Sequence, residues 1–254
     1  MWFLQQTPLL RSALEFFVRG KRVKRRLPNG LYVYVSPDSQ LKYLFKKFDT
    51  DLTDLANNRV SESSVVWDIG ANCGILAFSS SAAKQVVAVE ADPFLCNLIQ
   101  ESMQMNDVQL VLVCAAAFSQ YGIAEFSIAH RGRASNHLTS SEGSSQSGGE
   151  RSRILVPTIT LDGLLESVLP PTLVKIDVEG SEVEVLRGAK RLLNDIRPVL
   201  YLETVDSTHS QCESILKAAG YDLVRGAEMN WICLPHAREP HECGPPLSSR
   251  QPRL

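Results

Sequence analysis

The chain predicts an α/β domain built on a mostly parallel sheet with helices on both faces. Apolar runs of strand length (Val65–Ile69, Gln85–Glu90, Leu110–Ala115, Leu173–Asp177 and Pro198–Glu203) alternate with stretches of helical spacing. These runs are apolar at nearly every position rather than every second one, the pattern of strands covered on both faces. At 254 residues, 44% hydrophobic and 21% charged, the chain suits one large domain of this class.

The elements follow in order. A helix is expected from Ile75 to Ala83, after the glycine that ends the first strand. The next helix has its start written in the sequence: Asp92 as N-cap, then Pro93 at the first helical position, where its missing N–H costs nothing. Leu95, Leu98, Ile99 and Met103 continue it at helical spacing. Ala124–Ile128 is a further short strand. Ser181 with Glu184 reads as a capping box for a helix through Leu193, and Thr208 with Gln211 starts another that Gly220 closes. Tyr221–Arg225 and Trp231–Leu234 read as a terminal hairpin.

Residues 61–237 make up the domain. Residues 1–60 form a helical and stranded extension packed on it. Arg131–Arg153 is a polar, Ser/Gly-rich insert, read as a lid or as disorder, and residues 238–254 are a Pro-containing tail read as disordered. Met1–Val18 is apolar but interrupted by Gln5, Gln6, Arg11 and Glu15, short of a membrane span. The basic run Arg19, Lys21, Arg22, Lys24, Arg25 and Arg26 follows it. A docking helix with a solvated basic end is preferred here over contact with an anionic membrane.

A net charge of −2 provides no global field for nucleic acid, and none is expected as partner. The six cysteines (Cys73, Cys96, Cys114, Cys212, Cys233 and Cys243) show neither zinc spacing nor a paired motif. Free thiols and a cytoplasmic location are the plain reading.

In sheets of this class ligands bind beyond the carboxyl ends of the strands. After the first strand stands Asp68-Ile69-Gly70-Ala71-Asn72-Cys73-Gly74, a turn that brings backbone close to a ligand and opens a helix. The dinucleotide fingerprint fails, because Asn72 and Ile75 stand where further glycines are needed. The pattern acidic-x-Gly-x-Gly-x-Gly of methyltransferases fits, with Asn72 in the middle glycine's place. Glu90 ends the second strand, 20 residues after Gly70, where a carboxylate accepts bonds from ribose hydroxyls. Ala115-Ala116-Ala117 leaves room for a flat ring. The fourth strand runs into Lys175-Ile176-Asp177-Val178-Glu179-Gly180, and charges are rare at a buried strand end unless paired or functional.

From Val65 to Glu203 the chain resembles the FkbM-type methyltransferases. The resemblance rests on Trp67–Gly74, Val89–Pro93, Thr160-Leu161-Asp162, Val174–Glu182, Val185–Ala189 and Pro198–Glu203. It implies the class I, Rossmann-like methyltransferase fold, with a seven-stranded sheet and an antiparallel terminal hairpin. It also implies S-adenosyl-L-methionine as cofactor, with methylation of a hydroxyl on a small molecule or sugar.

The expected cofactor residues are Asp68, Gly70, Ala71, Asn72, Gly74, Glu90, Ala91 and Ala116. The expected catalytic residues are Asp177 as base or substrate anchor, Glu179 and Glu203 as second choices, and Lys175 as the group orienting them. A hydroxyl nucleophile needs its proton removed, hence the acids. No metal site is assigned, since no spacing is diagnostic of magnesium. The competing readings are an NAD(P)-dependent oxidoreductase, opposed by the glycine count, and a non-catalytic cofactor-binding module, opposed by the intact turn and Glu90.

Overall fold

The computed structural model describes residues 16–45, 50–130, 132–139, 149–226 and 230–237. Within the basic run, β1 (Val23–Arg26) pairs antiparallel with β2 (Tyr32–Val35). Val33 and Val35 are fully buried against the domain. The expected docking helix at Met1–Val18 lies almost wholly outside the described residues.

Helix α1 (Thr50–Arg59) precedes β3 (Val65–Ile69), α2 (Ile75–Ser79), β4 (Gln85–Glu90), α3 (Pro93–Asn106) and β5 (Val111–Cys114). Then come β6 (Ala116–Ala117), β7 (Gly122–Ala129), β8 (His137–Leu138), β9 (Glu150–Ile159) and α4 (Leu161–Leu164). The chain continues with β10 (Leu173–Ile176), α5 (Glu182–Arg187), β11 (Val199–Glu203), α6 (Asp206–Ala218), β12 (Tyr221–Arg225) and β13 (Asn230–Pro235).

The main sheet has seven strands in the order β12-β13-β11-β10-β3-β4-β5. The five from β11 to β5 are parallel, and β13 runs antiparallel between β11 and β12. Strand alternation divides its side chains between two cores. Trp67, Val87, Val174 and Leu200 meet α4, α5 and α6 on one face. Val66, Ala88, Leu173 and Tyr201 meet the β1–β2 hairpin, α1, α2 and α3 on the other. Strand order reverses between β3 and β10, so the switch-point crevice opens above their carboxyl ends.

Several expected elements change. The expected helix to Ala83 ends at Ser79, and Leu110–Ala115 narrows to Val111–Cys114. The helix expected to run to Leu193 stops at Arg187, and Ser181 makes no side-chain cap. Glu182 instead accepts from the Gly180 amide at 2.7 Å and from the Thr208 hydroxyl at 2.7 Å. Gly188 then breaks the helix where it passes Phe118: a Cβ there would lie 2.3 Å from that carbonyl oxygen. Thr208 does not start α6, which begins at Asp206.

The largest correction concerns the insert. Its described parts are ordered: a helical turn at Arg133–Ser135, then β8, then the first residues of β9. With β6 and β7 these strands form a second sheet in the order β6-β9-β7-β8. The Ser/Gly-rich stretch at 140–148 and the tail from 238 lie outside the described residues, as does Cys243. The five described cysteines are free.

Candidate active site

The turn after β3 is built by backbone geometry. Gly70 has φ +73°, and the amides of Gly70 and Ala71 both donate to the Val89 carbonyl, at 2.9 and 3.0 Å. A Cβ on Gly70 would lie 1.8 Å from the Asp177 carbonyl oxygen, so the β3 and β10 loops touch only because this residue is glycine. Asn72 also takes a left-handed conformation, φ 54°, which asparagine tolerates better than most residues. Its amide donates to Glu90 Oε2 at 2.7 Å, and the Asp92 amide donates to Glu90 Oε1 at 2.8 Å. The acid at the end of β4 thereby ties the glycine turn to the start of α3. Asp92 caps α3 as expected, accepting from the Phe94 amide at 2.9 Å.

Above this turn lies a cavity open to solvent. Gly70, Asn72, Glu90 and Ala91 line one side of it, Ala115, Ala116 and Ala117 the next, and Asp177, Val178, Glu179 and Ser181 another. The second sheet closes it with Phe126 and Leu138, and the helical turn beside β8 adds Arg133 and Asn136. Burial first, and the nearby charge of Asp92 second, push the Glu90 carboxyl up to about 7, although two backbone amides oppose the shift. Each Glu90 oxygen accepts one backbone bond and keeps lone pairs for a further donor.

Strand register explains the charges beside the cavity. Lys175 lies beside Asp68 of β3 and Tyr201 of β11. Lys175 is buried, with its Nζ 2.6 Å from the Gly70 carbonyl oxygen, 3.2 Å from Asp68 Oδ1 and 3.4 Å from Asp177 Oδ2. Burial alone would favour the neutral amine, but Asp68 and Asp177 outweigh it and raise the pKa. The lysine is therefore a charged clamp joining the two loops. Asp68 Oδ2 also accepts from the Ala77 amide at 3.2 Å, in the first turn of α2.

Glu179 stands in a left-handed conformation, φ 53°. Burial, then the charges of Asp177, Glu203 and Glu182, push its carboxyl up to about 9. This favours the protonated form at neutral pH, which suits a hydrogen-bond donor better than a base. Glu203 is exposed at the end of β11 and does not line the cavity.

Among the expected cofactor residues, Gly70, Asn72, Glu90, Ala91 and Ala116 line the cavity. Asp68, Ala71 and Gly74 lie beneath it, at 1% exposure for Asp68 and 4% for Ala71, and serve the turn from behind. Of the expected catalytic residues, Asp177 and Glu179 face the cavity while Lys175 sits under the Gly70 carbonyl. Phe126, Asn136 and Leu138 were missed, and Arg133 was noted only as part of a loop. Nothing local marks them, because the second sheet brings them in from a distant segment. No cluster of metal-ligating side chains occurs among the described residues.

A family model described as the methyltransferase FkbM domain matches residues 68–223, more than half of the chain. The chain belongs to this family. Its matched part is a methyltransferase FkbM domain. The curated relative hexuronic acid methyltransferase AglP of Haloferax volcanii is 29% identical over 154 residues, which span 60% of this chain and 61% of that protein. An FkbM methyltransferase structure from Methylobacillus flagellatus is 18% identical, with TM-score 0.47 over 69% of this chain and 44% of the other. The Pyrococcus abyssi tRNA (uracil-54, C5)-methyltransferase, solved with S-adenosyl-L-homocysteine, is 11% identical, with TM-score 0.47 over 80% of this chain and 39% of the other. The match to the FkbM family begins at Asp68, so β1, β2 and α1 lie outside it.

The cavity suits the family's cofactor. Three alanines leave room for a flat base, and the buried Glu90 carboxyl keeps lone pairs that would accept from a diol. Gly70 and Asn72 at the turn, Glu90 and Ala116 line the cavity and are the residues that would hold the cofactor. No helix among the described residues is long and apolar enough to cross a membrane.

Proposed function

We propose that this chain is an S-adenosylmethionine-dependent methyltransferase acting on a hydroxyl of a sugar or other small molecule, with Asp177 taking the hydroxyl proton. The observation that carries this reading is the position of Asp177 at the cavity, joined by Lys175 to the Gly70 turn. S-adenosylmethionine supplies an activated methyl together with its own leaving group. The protein's task is then alignment and proton removal, since a protonated alcohol is a weak nucleophile.

Lys175 fixes the Asp177 carboxylate through its 3.4 Å contact, so the base has one orientation rather than many. Neutral Glu179 stands beside it as a hydrogen-bond donor to an acceptor oxygen. The acidic surroundings also bear on which oxygen reacts. Asp177 at the cavity repels a carboxylate acceptor and accepts a bond from a hydroxyl.

The named relative makes a hexuronic acid the first acceptor to test, because it offers both kinds of oxygen in one molecule. The protein is incubated with a hexuronate glycoside, a hexose glycoside and methyl-labelled cofactor. Label that survives mild alkali is an ether, the expected product. Alkali-labile ester on the hexuronate would overturn the hydroxyl reading, and unlabelled sugars would remove this acceptor class.

A further inference from the structure

The segment before the family match reaches the cofactor turn through one loop. After β2 the chain buries Ser36, Asp38 and Ser39 at 4% exposure or less. The Ser39 hydroxyl lies 2.6 Å from Asn72 Oδ1 and donates to it. Asn72 is the residue that stands where the turn pattern has its middle glycine, and it is held left-handed at φ 54°. Its amide is already engaged by Glu90 at 2.7 Å, so its side chain is fixed from the N-terminal loop while its backbone is fixed from β4.

The same loop also reaches the opposite wall. The Asp38 carbonyl accepts from the Arg133 amide at 2.9 Å, and Asp38 Oδ2 accepts from Arg133 Nε at 3.0 Å. Arg133 in turn pairs with Asp92, the cap of α3, and stacks 4.5 Å above the Phe94 ring. Asp38 accepts as well from the Gly20 amide at 3.1 Å and from Arg151 at 2.6 Å. Burial alone would raise the Asp38 carboxyl, but Arg151, the Gly20 amide and Arg133 outweigh it and hold it below the usual carboxylate range. Two adjacent residues of one buried loop thus bear on both sides of a cavity whose walls otherwise come from the matched domain.

We propose that Ser39 is a positioning residue for the cofactor: its hydroxyl sets the Asn72 conformation that lets the glycine turn receive S-adenosylmethionine. A glycine takes a left-handed φ at little cost, whereas an asparagine must be held there against its preference for other regions. The Ser39 hydrogen bond does the holding, and Asp38 keeps the loop in place to supply it. The inference rests on placing the cofactor at the Gly70–Gly74 turn.

The test is a double-mutant cycle on S-adenosylhomocysteine affinity, measured by calorimetry on the full chain, with a thermal melt of each variant. Ser39→Ala is expected to raise Kd about fivefold, the value of one ordinary hydrogen bond, with a small change in Tm. In the Asn72→Gly background the same substitution should change Kd by less than about twofold, because the partner is gone and the turn needs no holding. An unchanged Kd in Ser39→Ala overturns the proposal. So does a loss of equal size in both backgrounds, which would mark Ser39 as part of the general packing. If the unsubstituted protein itself fails to bind, the placement of the cofactor falls and the inference with it.

Discussion

Gly70→Ala is expected to lower the stability of the folded protein by about 2–6 kcal/mol, as the sum of backbone strain and overpacking. It should also abolish saturable S-adenosylhomocysteine binding. Two separate causes act at this residue. Its φ of +73° is one that side-chain-bearing residues rarely adopt, and the added Cβ would sit 1.8 Å from the Asp177 carbonyl oxygen. That oxygen belongs to backbone, so relief requires the β3 and β10 loops to part, which stretches the Lys175 contact to the Gly70 carbonyl.

Gly30→Ala is the matched control. Its φ is +93°, but the nearest atom to a new Cβ is the tip of Arg26 at 3.8 Å, so only strain of about 1–2 kcal/mol applies. Urea unfolding of the two variants separates the causes. Equal midpoints would show that the β3 and β10 loops do not meet as described.

Asp177→Asn is expected to lower kcat by about 100- to 10,000-fold on the true acceptor, the usual worth of a positioned general base. Its KM for cofactor should change little. The asparagine is nearly the same size, and Lys175 keeps both Asp68 at 3.2 Å and the Gly70 carbonyl at 2.6 Å, so the turn survives. The loss therefore falls on proton removal rather than on binding. Glu179→Gln tests the alternative base. Because Glu179 carries its proton until about pH 9, a neutral amide in its place should cost far less at neutral pH. Full turnover by Asp177→Asn, or a larger loss in Glu179→Gln, would reverse the two assignments.

The parts of this fold that local sequence dictates were legible. The apolar strand runs, the Asp92-Pro93 helix start, the glycine turn and the acid at the end of β4 each depend on neighbours within a few residues. Helix starts were misread where a long-range partner intervened. Ser181 and Thr208 fit cap patterns, yet Glu182 takes the Gly180 amide and binds the Thr208 hydroxyl across two helices.

The roles of Asp68 and Lys175 needed strand register. Only the pairing of β3 with β10 sets these charges side by side and turns two apparent site residues into a buried clamp beneath the turn. The second sheet was hidden for another reason. β9 begins with charged, exposed residues, carries Pro157 and has no clean alternation, so its first half reads as loop. With it went the signal for Arg133, Asn136 and Leu138 as cavity residues. Ser39 and Asp38 carry no motif at all, and their role comes only from distances to Asn72 and Arg133.

The central claim is that Glu90 holds the cofactor's ribose as a carboxylate, and calorimetric titration with S-adenosylhomocysteine across pH tests it directly. Burial has pushed the free protein's Glu90 up to about 7, so below that pH a proton must leave before the diol can be accepted. By linkage the affinity should be about tenfold weaker at pH 6 than at pH 8, while Glu90→Gln binds weakly with no such slope. An affinity independent of pH in the unsubstituted protein, or a Gln variant that binds as tightly, would contradict the account.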